Sequence, residues 1–332
     1  MSDVKWVLNG AGKLNYEAFV RRAPVGDEIQ IDVYSSGLNF ADAMMLKGLY
    51  PDAPAYPFVP GYEVSGVISA VGPKVTRFRP GDQVMGGVYF GGYSSCVNVS
   101  ERQCVKIPPT LNVMTGASVV VSFLTAWLAL VEYARIREGD RIVVDCASGA
   151  LGSMMALLAR HSGAHLSGLT SSEHKKEGIL KLYDEAMTHA EFAASAGKFD
   201  IIIQSRGGPS FHHMLKRLRP GGRIVALGVS ELVAQAGPIH RVRATLRTLW
   251  GLRPIFPATL MNENIGIFGL NVLRLFESFE ILENGLAKLE EFAPQIPIAA
   301  TFESVDLEVA FRQILSKQLV GKVLLQWRPH VS

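Results

Sequence analysis

Two hydrophobic rhythms divide the chain. From Glu28 to about Pro109, short runs alternate apolar and polar positions, "EIQIDVYSSG", "VSGVISAVG", "DQVMGGV" and "SSCVNV", separated by Gly and Pro. A period of two predicts half-buried strands, so this half is mostly β. From about Leu111 to Gly228 the apolar runs become continuous and alternate with helical patterns. "RIVVDC", "AHLSGLT", "FDIIIQS" and "GRIVALG" each have the length of a strand buried on both faces. Strands of that kind spaced by helices predict a doubly wound parallel sheet in an α/β fold. After a helical stretch through Trp250 come "IGIFGLNV", a helix near Leu273 to Asn284, and the closing "GKVLLQW". These strands either extend the sheet or close back on the first domain.

Composition sharpens this picture in a few places. A length of 332 residues exceeds what one hydrophobic core usually serves, so two domains are expected. With 48% apolar and 19% charged residues the chain reads as globular rather than disordered. The net charge of +3 is small and Lys and Arg are dispersed, which argues against a nucleic-acid partner. The one basic cluster, "HRVRATLRTLWGLR" from His240 to Arg253, reads as a solvated helix face. The run "ASVVVSFLTAWLALVEYA" is interrupted by Ser122 and Thr125 and ends near Glu132, so a buried helix is expected there and no integral membrane segment. The start lacks the pattern of a signal peptide, and a cytoplasmic protein is expected. Cys96, Cys104 and Cys146 have neither CxxC spacing nor an even count, so reduced thiols are expected.

The candidate chemistry begins at "DRIVVDCASGALGSMMALLARHSGAHLSGLTSSEHKK", which reads as strand, turn, helix and second strand. A dinucleotide's pyrophosphate sits where a helix N-terminus offers unpaired N–H groups. "ASGALG" supplies Gly149, Leu151 and Gly152 to such a turn, with Ala150 where a third glycine is common. Two glycines for packing alone would read the same way. The tip of the second strand is the place where an acid reads a free ribose hydroxyl or a cation reads a 2′-phosphate. Here stand Ser171, Ser172, Lys175 and Lys176, and no acid occupies the strand tip, which favours NADPH over NADH. Serines capping a helix with solvated lysines are the bland alternative.

At "GLNFADAMMLKGLYPDAPAYPFVPGYEVSGVISAVG" the sequence resembles the medium-chain dehydrogenase/reductase superfamily, in its zinc-free branch of quinone oxidoreductases, polyketide-type enoyl reductases and vesicle amine transport proteins. The likeness continues collinearly through "PGDQVMGG", "GGYSSCVNV", "SFLTAWLALVEYARIREGDRIVV", "ASGALG", "RPGGRIVALG", "GIFGLN" and "VGKVLL". It implies a GroES-like, mostly-β catalytic domain at 1–120 and 265–332 and a Rossmann cofactor domain at 121–264. Leu38 or Asn39 stands where the family's zinc enzymes carry a cysteine, and Tyr62 stands where they carry the histidine of GHE. The four clustered cysteines of their structural zinc are absent, so no metal is expected.

Without a metal, protonation of the product falls to a side chain or water. Tyr50 in "KGLYP" matches the spacing of a tyrosine near the substrate in this branch, and its phenol is the candidate proton donor. Aromatic packing is the alternative for Tyr50, and also for Tyr62 and Tyr93. The resemblance further implies that Asn39 and Thr125 lie near the nicotinamide, that Gly228 borders the cofactor, and that the backbone at Phe268 meets the carboxamide. "IGIFGLNV" resembles the segment that pairs across a two-fold axis in family dimers, so a homodimer is expected. Three features depart from the family. Ala150 replaces a glycine, Gln204 stands where an acid usually opens a DxxGG turn, and "LYDEAMTH" shortens the segment in which His189 takes a tyrosine's place. The expected activity is NADPH-dependent hydride transfer to an α,β-unsaturated carbonyl, as an enoyl thioester, free or carrier-bound, or a quinone. The competing class is a non-catalytic interaction or membrane-associated protein on the same fold.

Overall fold

The computed structural model describes residues 2–50, 52–228, 255–316 and 318–328. The basic segment 240–253 and the helical stretch expected through Trp250 lie outside the described residues. The chain forms two compact units, Met1–Leu124 with Val272–Ser332, and Thr125–Asn271. Strands are numbered along the chain. The first unit opens with β1 (Asp3–Gly10), β2 (Lys13–Phe19), β3 (Glu28–Leu38), β4 (Glu63–Val71), β5 (Gln83–Gly87), β6 (Cys96–Ser100) and β7 (Cys104–Lys106). The second holds β8 (Arg141–Val144), β9 (His165–Thr170), β10 (Glu185–Thr188), β11 (Phe199–Gln204), β12 (Leu218–Ala226) and β13 (Gly266–Gly269). β14 (Ile298–Glu303) and β15 (Lys322–Gln326) return to the first.

In the first unit the strands follow the order β14-β15-β3-β4-β5-β7, and β6 also pairs with β3. The alternation in β3 places Ile29, Ile31 and Val33 in one core with Val64, Ile68, Val84 and Val99. A second core gathers Leu38, Tyr93, Val323 and Leu325 beneath Leu307, Ala310 and Phe311 of the helix Leu307–Ser316. The closing strand thus joins the first unit, antiparallel to β3 from Leu38↔Val323 to Ser35↔Gln326.

The second unit is one parallel sheet of order β10-β9-β8-β11-β12-β13, so "IGIFGLNV" extends this sheet. The order reverses between β8 and β11, which is the switch point of a doubly wound fold. Strands buried on both faces explain the continuous apolar runs. Val143, Ile202 and Ile224 are fully covered and pack with Leu169, Phe192 and Met214. The apolar run near Ala117 is helical, with α2 (Val120–Trp127) continuing as a π-turn over Leu128–Tyr133. Among the described residues no helix is long and apolar enough to cross a membrane.

One expected element is displaced. Val272–Glu277 is a 3-10 turn, and the α-helix expected from Leu273 to Asn284 runs instead over Phe279–Phe292. Asn284-Gly285 reads as a helix stop, but Gly285 sits inside the helix because a Cβ there would lie 2.5 Å from Leu124 Cδ2. Close packing, not termination, accounts for this glycine.

Deep in the first unit lies a buried ion pair. Glu63 opens β4 and Lys322 opens β15; both side chains are withdrawn from solvent and the ammonium bonds directly to Glu63 Oε1. Asn39 Nδ2 donates to the same oxygen at 2.9 Å, Lys322 donates to Asn39 Oδ1 at 2.8 Å, and Val121 N donates to Glu63 Oε2 at 2.8 Å. Asn39 also caps α1 (Phe40–Leu46), and its N–H donates to Asp42 Oδ2 at 2.8 Å. The other Asp42 oxygen and the Tyr93 hydroxyl are buried beside one another without reaching bonding geometry. Burial pushes the Asp42 carboxyl up to about 7 against the opposing bond from Asn39.

Removing one partner of a buried pair leaves an uncompensated charge. Lys322→Met is expected to destabilise the protein by about 3–5 kcal/mol, with the Glu63→Gln/Lys322→Met double variant recovering more than half of the loss in denaturant melts. Asp42 supplies a pH signature. Its folded pKa lies above the unfolded value, so the stability it contributes is complete below about 4 and is lost as pH rises through about 7. Denaturation midpoints measured from pH 5 to 8 should therefore fall more steeply with pH for the native chain than for Asp42→Asn.

Candidate functional site

The parallel sheet gathers its strand tips on one edge. β8 runs into the turn Asp145–Ser148 and then into α3 (Ala150–His161), with Gly149 as N-cap in extended backbone and no side chain capping the helix. The first N–H groups of α3 are therefore offered without a side-chain cap at the carboxyl edge, where a helix N-terminus favours an anion. Around Gly149 there is open space, since a Cβ there would meet only Cys146 O at 3.9 Å. Ala150 is the first helical residue, so its methyl adopts ordinary helical geometry and causes no strain. Gly152 is different. A Cβ there would overlap the carbonyl oxygens of Cys146 and Ala147, and the Tyr183 hydroxyl donates to Gly152 O at 2.7 Å. This glycine lets the helix close onto the end of β8, while Leu151 is half-buried beside it.

At the tip of β9, Ser171 is exposed and Ser172 opens the 3-10 turn Glu173–Lys175 without a side-chain cap. The two lysines have separate fates. Lys176 is held between Glu173 at 2.8 Å and Glu191 at 2.6 Å, whereas Lys175 is buried, 5% exposed. His189 is the half-buried first residue of the helix Glu191 caps from Thr188, at the end of β10.

The next strand tip carries a group that sequence reading missed. Asp145 is buried where β8 ends, and its carboxylate accepts from Ser205 N at 2.8 and 2.9 Å, Ser205 Oγ at 2.7 Å and Arg206 N at 3.3 Å. Desolvation pushes its pKa up to about 6, with the Ser205 and Arg206 bonds pulling the other way. Gly228 follows β12 and is exposed, with Ser205 O 3.2 Å from where its Cβ would stand. Gly149, Leu151, Gly152, Ser171 and Gly228 are thus brought to one edge of one sheet. Phe268 lies in register with Val225 on the outer strand β13 and stacks on Tyr133 at 5.7 Å. Thr125 is buried on α2 in the same unit.

The remaining predicted residues belong to the first unit. Asn39 has both ends of its amide engaged by Glu63 and Lys322, a structural duty that the sequence did not reveal. Tyr50 is half-buried in the stretch after α1, and it lies close enough to Tyr62 to join burial, Asp42 and Tyr89 in pushing the Tyr62 phenol up. Tyr62 donates to Met45 Sδ at 3.0 Å and meets the Phe90 ring edge-on, while Tyr93 is covered completely, so both are core side chains. Among the described residues no group of three or more His, Cys, Asp or Glu is placed to hold a metal ion.

Residues 26–109 match the alcohol dehydrogenase GroES-like domain. The chain is 28% identical over 341 residues to the synaptic vesicle membrane protein VAT-1 homolog of Rattus norvegicus, covering 96% of this chain and 83% of that protein. It is 32% identical over 314 residues to the pikromycin polyketide synthase component PikAII of Streptomyces venezuelae, covering 91% of this chain and 8% of that much longer protein. Among solved structures, the quinone oxidoreductase of Thermus thermophilus, studied alone and in complex with NADPH, superimposes with a TM-score of 0.76 at 28% identity over 98% of this chain and 100% of that one. With the GroES-like match, the strand order and these likenesses together, the chain has the two-domain fold of the medium-chain dehydrogenase/reductase superfamily and is similar to its zinc-independent quinone oxidoreductases and enoyl reductases.

Proposed function

We propose that the protein is an NADPH-dependent oxidoreductase that reduces a conjugated carbonyl, an enoyl thioester or a quinone. The observation that carries this reading is the edge at Gly149, where α3 presents N–H groups without a side-chain cap beside open space, at the switch point between β8 and β11. The residues there fit a dinucleotide. Gly149 and the start of α3 would receive the pyrophosphate, and the half-buried Ala150 methyl leaves the approach open. Ser171 and Lys175, at a strand tip whose end carries no acid, would hold a 2′-phosphate. The NADPH complex of the Thermus thermophilus relative supports the same choice of nucleotide.

When bound, NADPH supplies the hydride. The chain's own residues do the rest: Thr125, Gly228 and the Phe268 backbone orient the nicotinamide end, and the polar cluster under Asn39 fixes the segment that carries Tyr50. Asn39 acts on that segment through Glu63 and Lys322. Hydride arriving at the β-carbon of an enoyl group leaves an enolate, and the Tyr50 hydroxyl donates its proton to the α-carbon. Reduction of a quinone calls for the same donor at oxygen. The likeness to a polyketide synthase component supports a thioester and the likeness to a quinone oxidoreductase supports a quinone. A second copy pairing along the outer edge of β13 would continue the parallel sheet into a homodimer.

Calorimetric titration is expected to show NADPH binding at least tenfold tighter than NADH, a difference of about 1.4 kcal/mol. Lys175→Ala should erase most of that preference, and equal losses for both nucleotides would remove Lys175 from the 2′-phosphate site. Tyr50→Phe is expected to lower turnover of a crotonyl thioester or a benzoquinone by roughly 100-fold with KM little changed. An unchanged rate and unchanged stereochemistry at the α-carbon would make Tyr50 a packing residue.

A further inference from the structure

The nucleotide edge carries its acid in an unexpected place. At the head of the turn after β11, where relatives usually have an acid, Gln204 is fully buried. Its Oε1 has no partner among the described residues, and its Nε2 makes only two long contacts, to Gly207 O at 3.4 Å and Ser210 Oγ at 3.3 Å. One strand across the switch point stands Asp145, gripping the backbone of that same turn through Ser205 and Arg206.

We propose that Asp145 is a positioning residue of the nucleotide site, fixing the Ser205–Arg206 turn for the dinucleotide and taking up a proton when the dinucleotide binds. The proposal rests on the NADPH reading above. Asp145 ends the strand that leads into α3, so its carboxylate would oppose the negative charge of a pyrophosphate held at the start of that helix unless it is neutralised. The groups that act on Asp145 are the Arg206 guanidinium on the turn, which favours its ionised form, and the adjacent Cys146 thiol. Of the two strands that flank β8, β9 ends in the uncharged Thr170 and β11 in the uncharged Gln204. Burial already holds the carboxyl up at about 6, so added negative charge moves it into the neutral range, and binding tightens as pH falls.

The test is isothermal titration of the full chain with NADPH between pH 6 and 8, in phosphate and in Tris, whose different ionisation heats count protons. The wild type is expected to take up more protons per NADPH than Asp145→Asn, and this difference isolates Asp145 because titration of the 2′-phosphate is common to both. Asp145→Ala should bind NADPH on the order of tenfold more weakly with a flattened pH profile. Tight wild-type binding with the same proton count as Asp145→Asn would overturn the inference and leave the reductase reading standing. Wild-type protein that binds neither NADPH nor NADH would overturn both.

Discussion

The first unit is built from two pieces of chain with the whole second unit between them, and the most deeply buried ion pair that joins the pieces is that of Glu63 and Lys322. The ladder of β3 with β15 brings the pieces together, but a ladder alone tolerates a slip in register. A buried ammonium that must meet one carboxylate and one amide tolerates none, because a shift leaves charges stranded without water. The pair therefore specifies the register. It also anchors Asn39, which caps α1, and through that helix the segment bearing Tyr50. A residue of the last strand thus helps position a candidate catalytic group near residue 50.

The second unit depends on backbone rather than charge for its geometry. Gly152 lets α3 close onto the turn after β8, and that approach aims the helix N-terminus along the carboxyl edge. Parallel pairing then sets the tips of β9, β11 and β12 beside it, so residues far apart in the chain share one line. Ala150 and Gln204, which look like losses against the family pattern, are accommodated differently. Ala150 sits at the start of a helix where its methyl causes no strain, and the turn that follows Gln204 is bonded by Asp145 from the neighbouring strand.

Periodicity made the fold legible because burial on one face or two leaves different apolar rhythms, as in β3 against β8 and β11. Glycine turns and collinear blocks made the nucleotide edge legible too. What escaped were interactions whose partners are distant in sequence. The acid in "PGYEVSG", the lysine in "VGKVLL" and the aspartate in "RIVVDC" are single charges in apolar surroundings, and a buried charge signals a partner without saying which. The late start of the helix Phe279–Phe292 escaped for a related reason: Gly285 reads locally as a stop, while the neighbour that requires it, Leu124, is 161 positions away (285 − 124).

The same split architecture orders the making of the protein. During synthesis β3, β4 and β5 emerge early, yet the strand that pairs with β3 on its open side and the lysine that neutralises Glu63 lie beyond residue 320. The strands described for the parallel unit are all in place by Gly269, so that unit is free to fold while the first is still waiting. Until Lys322 arrives, Glu63 keeps its water and the Ser35–Leu38 half of the edge of β3 stays unpaired, an exposed strand end of the kind that invites wrong pairing. A nascent chain stalled short of Lys322 would therefore present a complete parallel sheet together with a first unit that still lacks its closing strand.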